Sequence, residues 1–416
     1  MRPRWLILGD DLTGALDCAV AFAQRGIPAA VGWATELPGQ VVVALETDSR
    51  RLGPAQAALR VGEMLERHYT PEMLLFKKID STLRGQPAAE IAASIVLLRK
   101  QGWKGLLAIS PAFPETGRSL RGGRVYIGSQ QLEQTALWAR DHTYADADLL
   151  SILAAESLNV RLARLELVRQ GSAAMAGVMR DALADGIDAL ICDATEAGDL
   201  DIIAEATMPL AGQVFWAGAG GLAKALARAE HEHGRLHVEP IGVKGGILFV
   251  VGSIAEASRA ASAILSAETD VVVVSLAPRI LCEGSDGCRW KAVAGTIRDA
   301  LASGQDVLVE IAAGGNADLS TGADLVSRLG ILLQPAAPHI GALFATGGET
   351  ALAILRALGM TGVQLVAEIE AGVPLGLSQG ALTIPVVTKA GAFGDARTLA
   401  DCLTHLRRLR SMESSR

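Results

Sequence analysis

Trp5-Leu6-Ile7-Leu8-Gly9-Asp10-Asp11-Leu12-Thr13-Gly14-Ala15 passes from an apolar run, through two carboxylates and a hydroxyl, into a helical pattern. A strand that feeds a helix through a polar turn is the repeating unit of α/β proteins, and ligands of such folds bind beyond the strands' carboxyl ends. The order repeats outward. Apolar runs predict strands at 29–33, 41–45, 73–76 and 105–110, with helices at 15–24, 55–67 and 88–101. The pattern lapses over 119–143 into a long polar loop with a strand-like 125–127, the kind of loop that is commonly functional. It resumes with helices at 147–156, 173–185 and 200–207 and strands at 165–168 and 189–193, predicting a doubly wound first sheet.

The chain's 416 residues exceed the size at which single cores stop growing, so two domains are expected. A polar break at 231–245 marks the boundary, and a second α/β series follows with strands at 246–251, 271–276, 306–311, 342–345, 364–367 and 382–387. No internal repeat is visible. His231, His233 and His237 invite a metal, but their surroundings read as an exposed linker. With 45 acidic against 38 basic residues and a net charge of −7, no basic block is present to follow a nucleic-acid backbone. Five scattered cysteines without close pairs predict reduced thiols in a cytoplasmic protein. The apolar runs are too short for a signal-peptide core or for the roughly 18 residues of a membrane span, so no membrane segment is expected.

Three polar clusters fall after three predicted strands. In Gly9-Asp10-Asp11-Leu12-Thr13-Gly14, either acid caps the helix or accepts a proton from a substrate hydroxyl. In Glu46-Thr47-Asp48-Ser49-Arg50-Arg51, Arg50 is either a surface arginine or a planar clamp for a carboxylate. In Phe76-Lys77-Lys78-Ile79-Asp80-Ser81-Thr82-Leu83-Arg84-Gly85, bases, an acid and hydroxyls crowd together in a way that suits a small polyhydroxy anion. Together they predict one ligand crevice.

In the second half, Phe344-Ala345-Thr346-Gly347-Gly348-Glu349-Thr350-Ala351 reads as strand, glycine turn and helix start, where backbone N–H groups can approach an anion. Gly252-Ser253-Ile254-Ala255-Glu256 repeats that logic, and Thr388-Lys389-Ala390-Gly391-Ala392-Phe393-Gly394 adds a lysine, so the three together predict phosphate binding. Gly218-Ala219-Gly220-Gly221-Leu222-Ala223 fits a loose dinucleotide pattern, but it closes the first domain instead of opening a βαβ unit. No Walker A sequence is present.

These motifs resemble, in content and order along nearly the whole chain, the four-carbon acid sugar kinase family, whose members phosphorylate D-threonate, D-erythronate or 3-oxo-tetronate with ATP. The resemblance rests on residues 10–15, 78–85 and 111–118 and on Gly252-Ser253, Thr346–Thr350 and Lys389–Gly394. It implies two α/β domains with mainly parallel sheets, 1–235 binding the acid sugar and 245–416 binding ATP, with both ligands in the cleft between them. Carried over by motif, Asp10, Arg50, Lys78, Ile79, Asp80 and Ser81 hold substrate, while Ser253, Gly347, Gly348, Glu349, Thr350 and Gly391 hold nucleotide. The form of 78–85 favours threonate or erythronate over the 3-oxo-tetronate branch.

The resulting expectation is that Arg50 and Lys78 engage the aldonate carboxylate while Asp10 orients, and deprotonates, the terminal C4 hydroxyl for attack on the γ-phosphate. Mg²⁺ is expected on the phosphates with one or two carboxylates, its protein ligands unassigned. The domains are expected to close over the substrates, and a homo-oligomer is compatible with this scheme. A nicotinamide-dependent sugar-acid dehydrogenase, resting on Gly218–Ala223, and a non-catalytic sugar-acid sensor are the rivals from other classes.

Overall fold

The computed structural model describes residues 4–33, 37, 39–140, 142–230, 245–252, 256–312, 322–389 and 394–411. Its contacts divide the chain into two compact units, residues 1–31 with 37–235 and residues 32–36 with 236–416.

The first unit opens with β1 (Trp5–Gly9), β2 (Ala29–Gly32), β3 (Val42–Glu46), β4 (Leu74–Lys78) and β5 (Leu106–Ser110). Then come β6 (Arg118–Arg121), β7 (Arg124–Ile127) and β8 (Gln130–Gln131), followed by β9 (Val160–Ala163), β10 (Ala189–Cys192) and β11 (Val214–Gly218). The main sheet runs β2-β3-β1-β4-β11-β5-β10-β9 and is parallel from β3 to β9. Every residue of β1, β3, β5, β10 and β11 is buried, which requires cover on both faces of the sheet. The helices α1 (Leu12–Ala23), α2 (Pro54–His68) and α3 (Pro87–Lys100) belong to two groups: α2 packs on α3, and α1 packs on the helix Gly220–Ala229.

From β1 the chain crosses to β3 on one side and returns to β4 on the other. That reversal is a topological switch point, and it leaves a crevice outside the carboxyl ends of β1 and β4. The polar clusters after β1, β3 and β4 therefore converge there by topology.

Two local expectations are corrected. Residues 165–168 form a helix, closed by Val168 N–H on Arg164 O at 3.1 Å and Arg169 N–H on Leu165 O at 3.0 Å, and the sheet edge is taken by β9 instead. A four-residue stretch such as Leu165-Glu166-Leu167-Val168 is too short for its periodicity to separate the two states. The stretch 119–143 is also more regular than a loop, since β6, β7 and β8 form an antiparallel sheet of their own.

The second unit contains β12 (Gly246–Val251), β13 (Val272–Leu276), β14 (Val307–Ile311), β15 (Ile340–Thr346), β16 (Met360–Glu370), β17 (Val373–Gly380) and β18 (Pro385–Lys389). They lie in the order β13-β14-β12-β15-β18-β17-β16, parallel from β13 to β18 with an antiparallel β16-β17-β18 end. The sequence pattern missed β17, whose Pro374 and Gly376 read as strand breakers. At Gly376 a Cβ would come within 2.4 Å of Val363 Cγ1, so the glycine permits the close approach of β16. The core of this unit gathers Phe249, Phe344, Leu308, Val387 and Leu403.

Candidate active site

Asp11 is the N-cap of α1, accepting from Gly14 N–H at 2.8 Å, and its other oxygen takes Thr13 Oγ1 at 2.9 Å. Asp10 is left to face the crevice floor, 3% exposed. Arg50, beyond β3, is held there because its backbone N–H and that of Ser49 reach Asp10 O at 3.4 and 3.3 Å. Its guanidinium forms a two-bond fork on Asp10, Nε to Oδ2 at 2.7 Å and Nη2 to Oδ1 at 2.9 Å. Nη1 donates to Asp11 Oδ2 at 2.6 Å, so Asp11 both caps the helix and joins the site. The planar clamp expected for a substrate carboxylate is thus closed on the protein's own acids.

At the end of β4, Lys78 Nζ donates to Ile79 O at 2.8 Å and lies over Gly14, where a Cβ would be 2.9 Å from the ammonium. Ile79 is buried and its N–H bonds to Gly218 O at 2.9 Å, so it serves through its backbone. Asp80 organises the turn, accepting from Thr82 N–H at 3.1 Å and from Arg84 Nε and Nη2 at 3.0 and 2.9 Å, with Arg50 Nη2 at 3.6 Å. Ser81 is half-buried in the same turn. Gly85 has φ +79° and lies against Asp10, where a Cβ would stand 3.2 Å from Oδ2.

Charge decides the protonation states. Burial pushes the Asp10 carboxyl up, but Arg50, Lys78 and Lys77 outweigh it and leave it below the usual carboxylate range. Burial acts likewise on Asp80, and Arg84 and Arg50 hold it well below that range. Burial favours neutral Lys78, yet the carboxylates Asp10, Asp11 and Asp80 keep it a cation by raising its pKa. Arg118, at the start of β6, feels burial first, then Asp80 and Arg84, and its pKa is lowered. Arg84, with 36% of its side chain exposed against 19% for Arg50, is the more approachable cation.

In the second unit, Gly347 (φ +86°) ends β15 and precedes the helix Gly348–Ala357, with no side-chain cap on the helix start. Gly347 N–H bonds to Lys389 O at 2.9 Å, which joins the ends of β15 and β18. Gly252 presses on Thr350, since a Cβ there would lie 2.3 Å from Oγ1. Thr346 Oγ1 and Thr388 Oγ1 are buried without a hydrogen-bond partner among the described residues. Lys389 is 1% exposed, with Nζ 3.5 Å from Ser258 Oγ; burial lowers its pKa against the pull of Glu370. Uncapped helix N–H groups beside orphaned hydroxyls and a lysine fit a polyphosphate. Ser253 and Gly391 lie outside the described residues, as do the three histidines at 231, 233 and 237.

Two family models match, a sugar-binding N-terminal domain over residues 5–226 and a nucleotide-binding C-terminal domain over 248–399. A D-threonate kinase of Cupriavidus necator is 39% identical across 95% of this chain and 96% of its own. The chain belongs to the four-carbon acid sugar kinase family. A D-threonate kinase of Bordetella bronchiseptica is 32% identical over 94% of this chain and 95% of its own, and a D-erythronate kinase of Heliobacterium modesticaldum 29% over 96% of each. A crystal structure from Salmonella typhimurium shares the fold, with TM-score 0.80 at 20% identity, covering 96% of this chain and 99% of its own.

In this acid sugar kinase the glycine run after β11 is a packing device. A Cβ on Gly218 would stand 2.5 Å from Ser110 O, on Gly220 2.1 Å from Asp17 Oδ2, and on Gly221 2.6 Å from Ala112 O. Each of these glycines is thus accounted for by close packing within the protein, and the run by itself gives no support to the dehydrogenase alternative. Among the described residues of the kinase, no helix is long and apolar enough to cross a membrane. None of their His, Cys, Asp and Glu side chains form a group of three or more that could hold a metal ion. A Mg²⁺ carried on nucleotide phosphates needs only one or two carboxylates and so fits without such a group. Sequence reasoning left Asp11 and Arg84 out of its candidate set, and the structure brings both into the cluster; their signal was position, each lying within a polar stretch that follows a strand.

Proposed function

We propose that the protein is a D-threonate 4-kinase, transferring the γ-phosphoryl group of ATP to the terminal C4 hydroxyl of that acid. The observation that carries this is the convergence of Asp10, Asp11, Arg50, Lys78, Asp80 and Arg84 at the switch point, three of them (Asp10, Lys78 and Asp80) buried. The choice of D-threonate rests on the C. necator and B. bronchiseptica relatives.

Lys78 and Arg84 supply the positive field for the aldonate carboxylate. Arg50 acts one step back, locking Asp10 so that one carboxylate lone pair meets the C4 hydroxyl. Asp10, depressed by Arg50, is a weak base in the ground state; it orients the hydroxyl and takes its proton as the O–P bond forms. Phosphoryl transfer passes through a loose transition state, so orientation and charge contribute more than early proton removal. Gly347, Gly348, Glu349 and Thr350 would hold the phosphates through the helix start, joined by Ser253 and Gly391. Mg²⁺, when bound with ATP, neutralises charge on the phosphate oxygens.

The test is coupled ADP release with D-threonate, D-erythronate, L-threonate and 3-oxo-tetronate, the phosphorylated carbon being assigned by NMR. The expected result is the highest kcat/KM for D-threonate with phosphate on C4. Turnover of none of the four acids would sink the proposal, and preference for another would reassign the substrate.

A further inference from the structure

A second layer of buried polar groups lies beneath the acid-sugar site. Lys77 precedes Lys78 on β4, so the two side chains leave opposite faces of the sheet. Lys77 is fully buried, and its Nζ lies 2.7 Å from Glu90 Oε2 in the first turn of α3, itself 1% exposed. The same ammonium donates to Lys78 O at 2.9 Å and to Leu8 O at 3.4 Å. Glu90 Oε1 accepts from Ser49 Oγ at 2.5 Å, and Ser49 Oγ lies 2.7 Å from Thr47 Oγ1. Each hydroxyl has one proton. Thr47 Oγ1 also donates to Gly9 O at 2.9 Å, beside Thr47 N–H at 2.8 Å on the same carbonyl, so its one proton serves Gly9 O and Ser49 Oγ together and the Ser49 proton goes to Glu90.

One carboxylate thus ties together the ends of β1, β3 and β4, the three strand ends that carry Asp10, Arg50 and Lys78. A buried ion pair is a poor source of net stability, because desolvation offsets its attraction. Its place directly under the site calls for a different role. We propose that Glu90, paired with Lys77, is a positioning residue of the kinase: through Ser49 it fixes the backbone that aims the Arg50 guanidinium at Asp10. This inference rests on the acid-sugar reading of the crevice.

Glu90→Gln alone would strand the Lys77 charge and endanger folding, so two other variants carry the test. Ser49→Ala cuts the link and keeps the ion pair; Lys77→Met/Glu90→Leu removes both charges and the acceptor together. For both, KM for the sugar acid should rise about tenfold or more, as small misplacements in a site do, with KM for ATP unchanged. The Arg50 Nε–H signal in ¹⁵N-labelled protein should exchange faster with solvent in Ser49→Ala than in the wild type, and this readout does not depend on turnover. An unchanged sugar-acid KM together with an unchanged Arg50 signal overturns the inference, as does an equal loss for both substrates, which marks a merely structural role. A wild type that phosphorylates none of the acids refutes the functional proposal instead, and the Arg50 signal still decides the role of Glu90.

Discussion

Arg50 and Asp10 meet fork to fork, Nε to Oδ2 at 2.7 Å and Nη2 to Oδ1 at 2.9 Å, while the third guanidinium nitrogen reaches Asp11. A lysine has no planar fork and cannot hold both carboxylates at once. Arg50→Lys should therefore lower kcat/KM for the sugar acid on the order of a hundredfold, the cost of a misplaced reacting group. Steady-state kinetics with both substrates varied checks this, with KM for ATP expected to stay near the wild-type value.

Gly14 gives Lys78 its place. A Cβ there would fall 2.6 Å from Asp11 Oδ1 and 2.9 Å from Lys78 Nζ, and α1's N-cap cannot retreat without losing its bond to Gly14 N–H. Gly14→Ala should displace the ammonium and weaken sugar-acid binding, measured by calorimetry, while leaving nucleotide binding intact.

The buried acids set the acid limit of stability. Asp10 and Asp80 are held below the ordinary carboxylate range in the folded chain, so unfolding takes up protons at low pH. Their contribution is complete above the ordinary carboxylate pKa and is lost as pH falls through the lower folded-state range. Denaturant titrations of wild type and Asp80→Asn should therefore differ by a constant amount at neutral pH, with the gap narrowing only below about 3.8.

Gly347 has φ +86°, and a Cβ there would find its nearest neighbour 3.6 Å away, so space is available and the backbone angle is the obstacle. Gly347→Ala should cost about 1–3 kcal/mol of strain at the helix start. ATP binding should weaken by calorimetry, with sugar-acid binding retained.

Gly220→Ala tests the packing role of the glycine run. The added carbon would meet Asp17 Oδ2 at 2.1 Å, and overpacking of this kind typically costs about 1–3 kcal/mol. A lowered Tm is expected, with no NAD binding in either protein by calorimetry.

Much of the site was legible along the chain because β1, β3 and β4 each end in a polar cluster, and ends of parallel strands are where α/β ligands bind. Residues 165–168 were misread because the four residues Leu165-Glu166-Leu167-Val168 are too few to show a period. β17 was missed because Pro374 and Gly376 look like breaks until Val363 is seen packed against Gly376. Glu90 gave no signal, sitting as one acid among alanines, isoleucine and leucines on a helix whose buried face the sequence does not mark.

By itself, the sequence determined the α/β class and which residues could carry charge at the strand ends, since local pattern and turn chemistry act between near neighbours. The pairing was decided only by tertiary structure. Arg50 faces Asp10 across 40 positions, and Ser49 faces Glu90 across 41. Whether a guanidinium meets a substrate or a neighbouring carboxylate depends on the order in which the strands lie side by side, and that order is fixed by burial of the whole sheet.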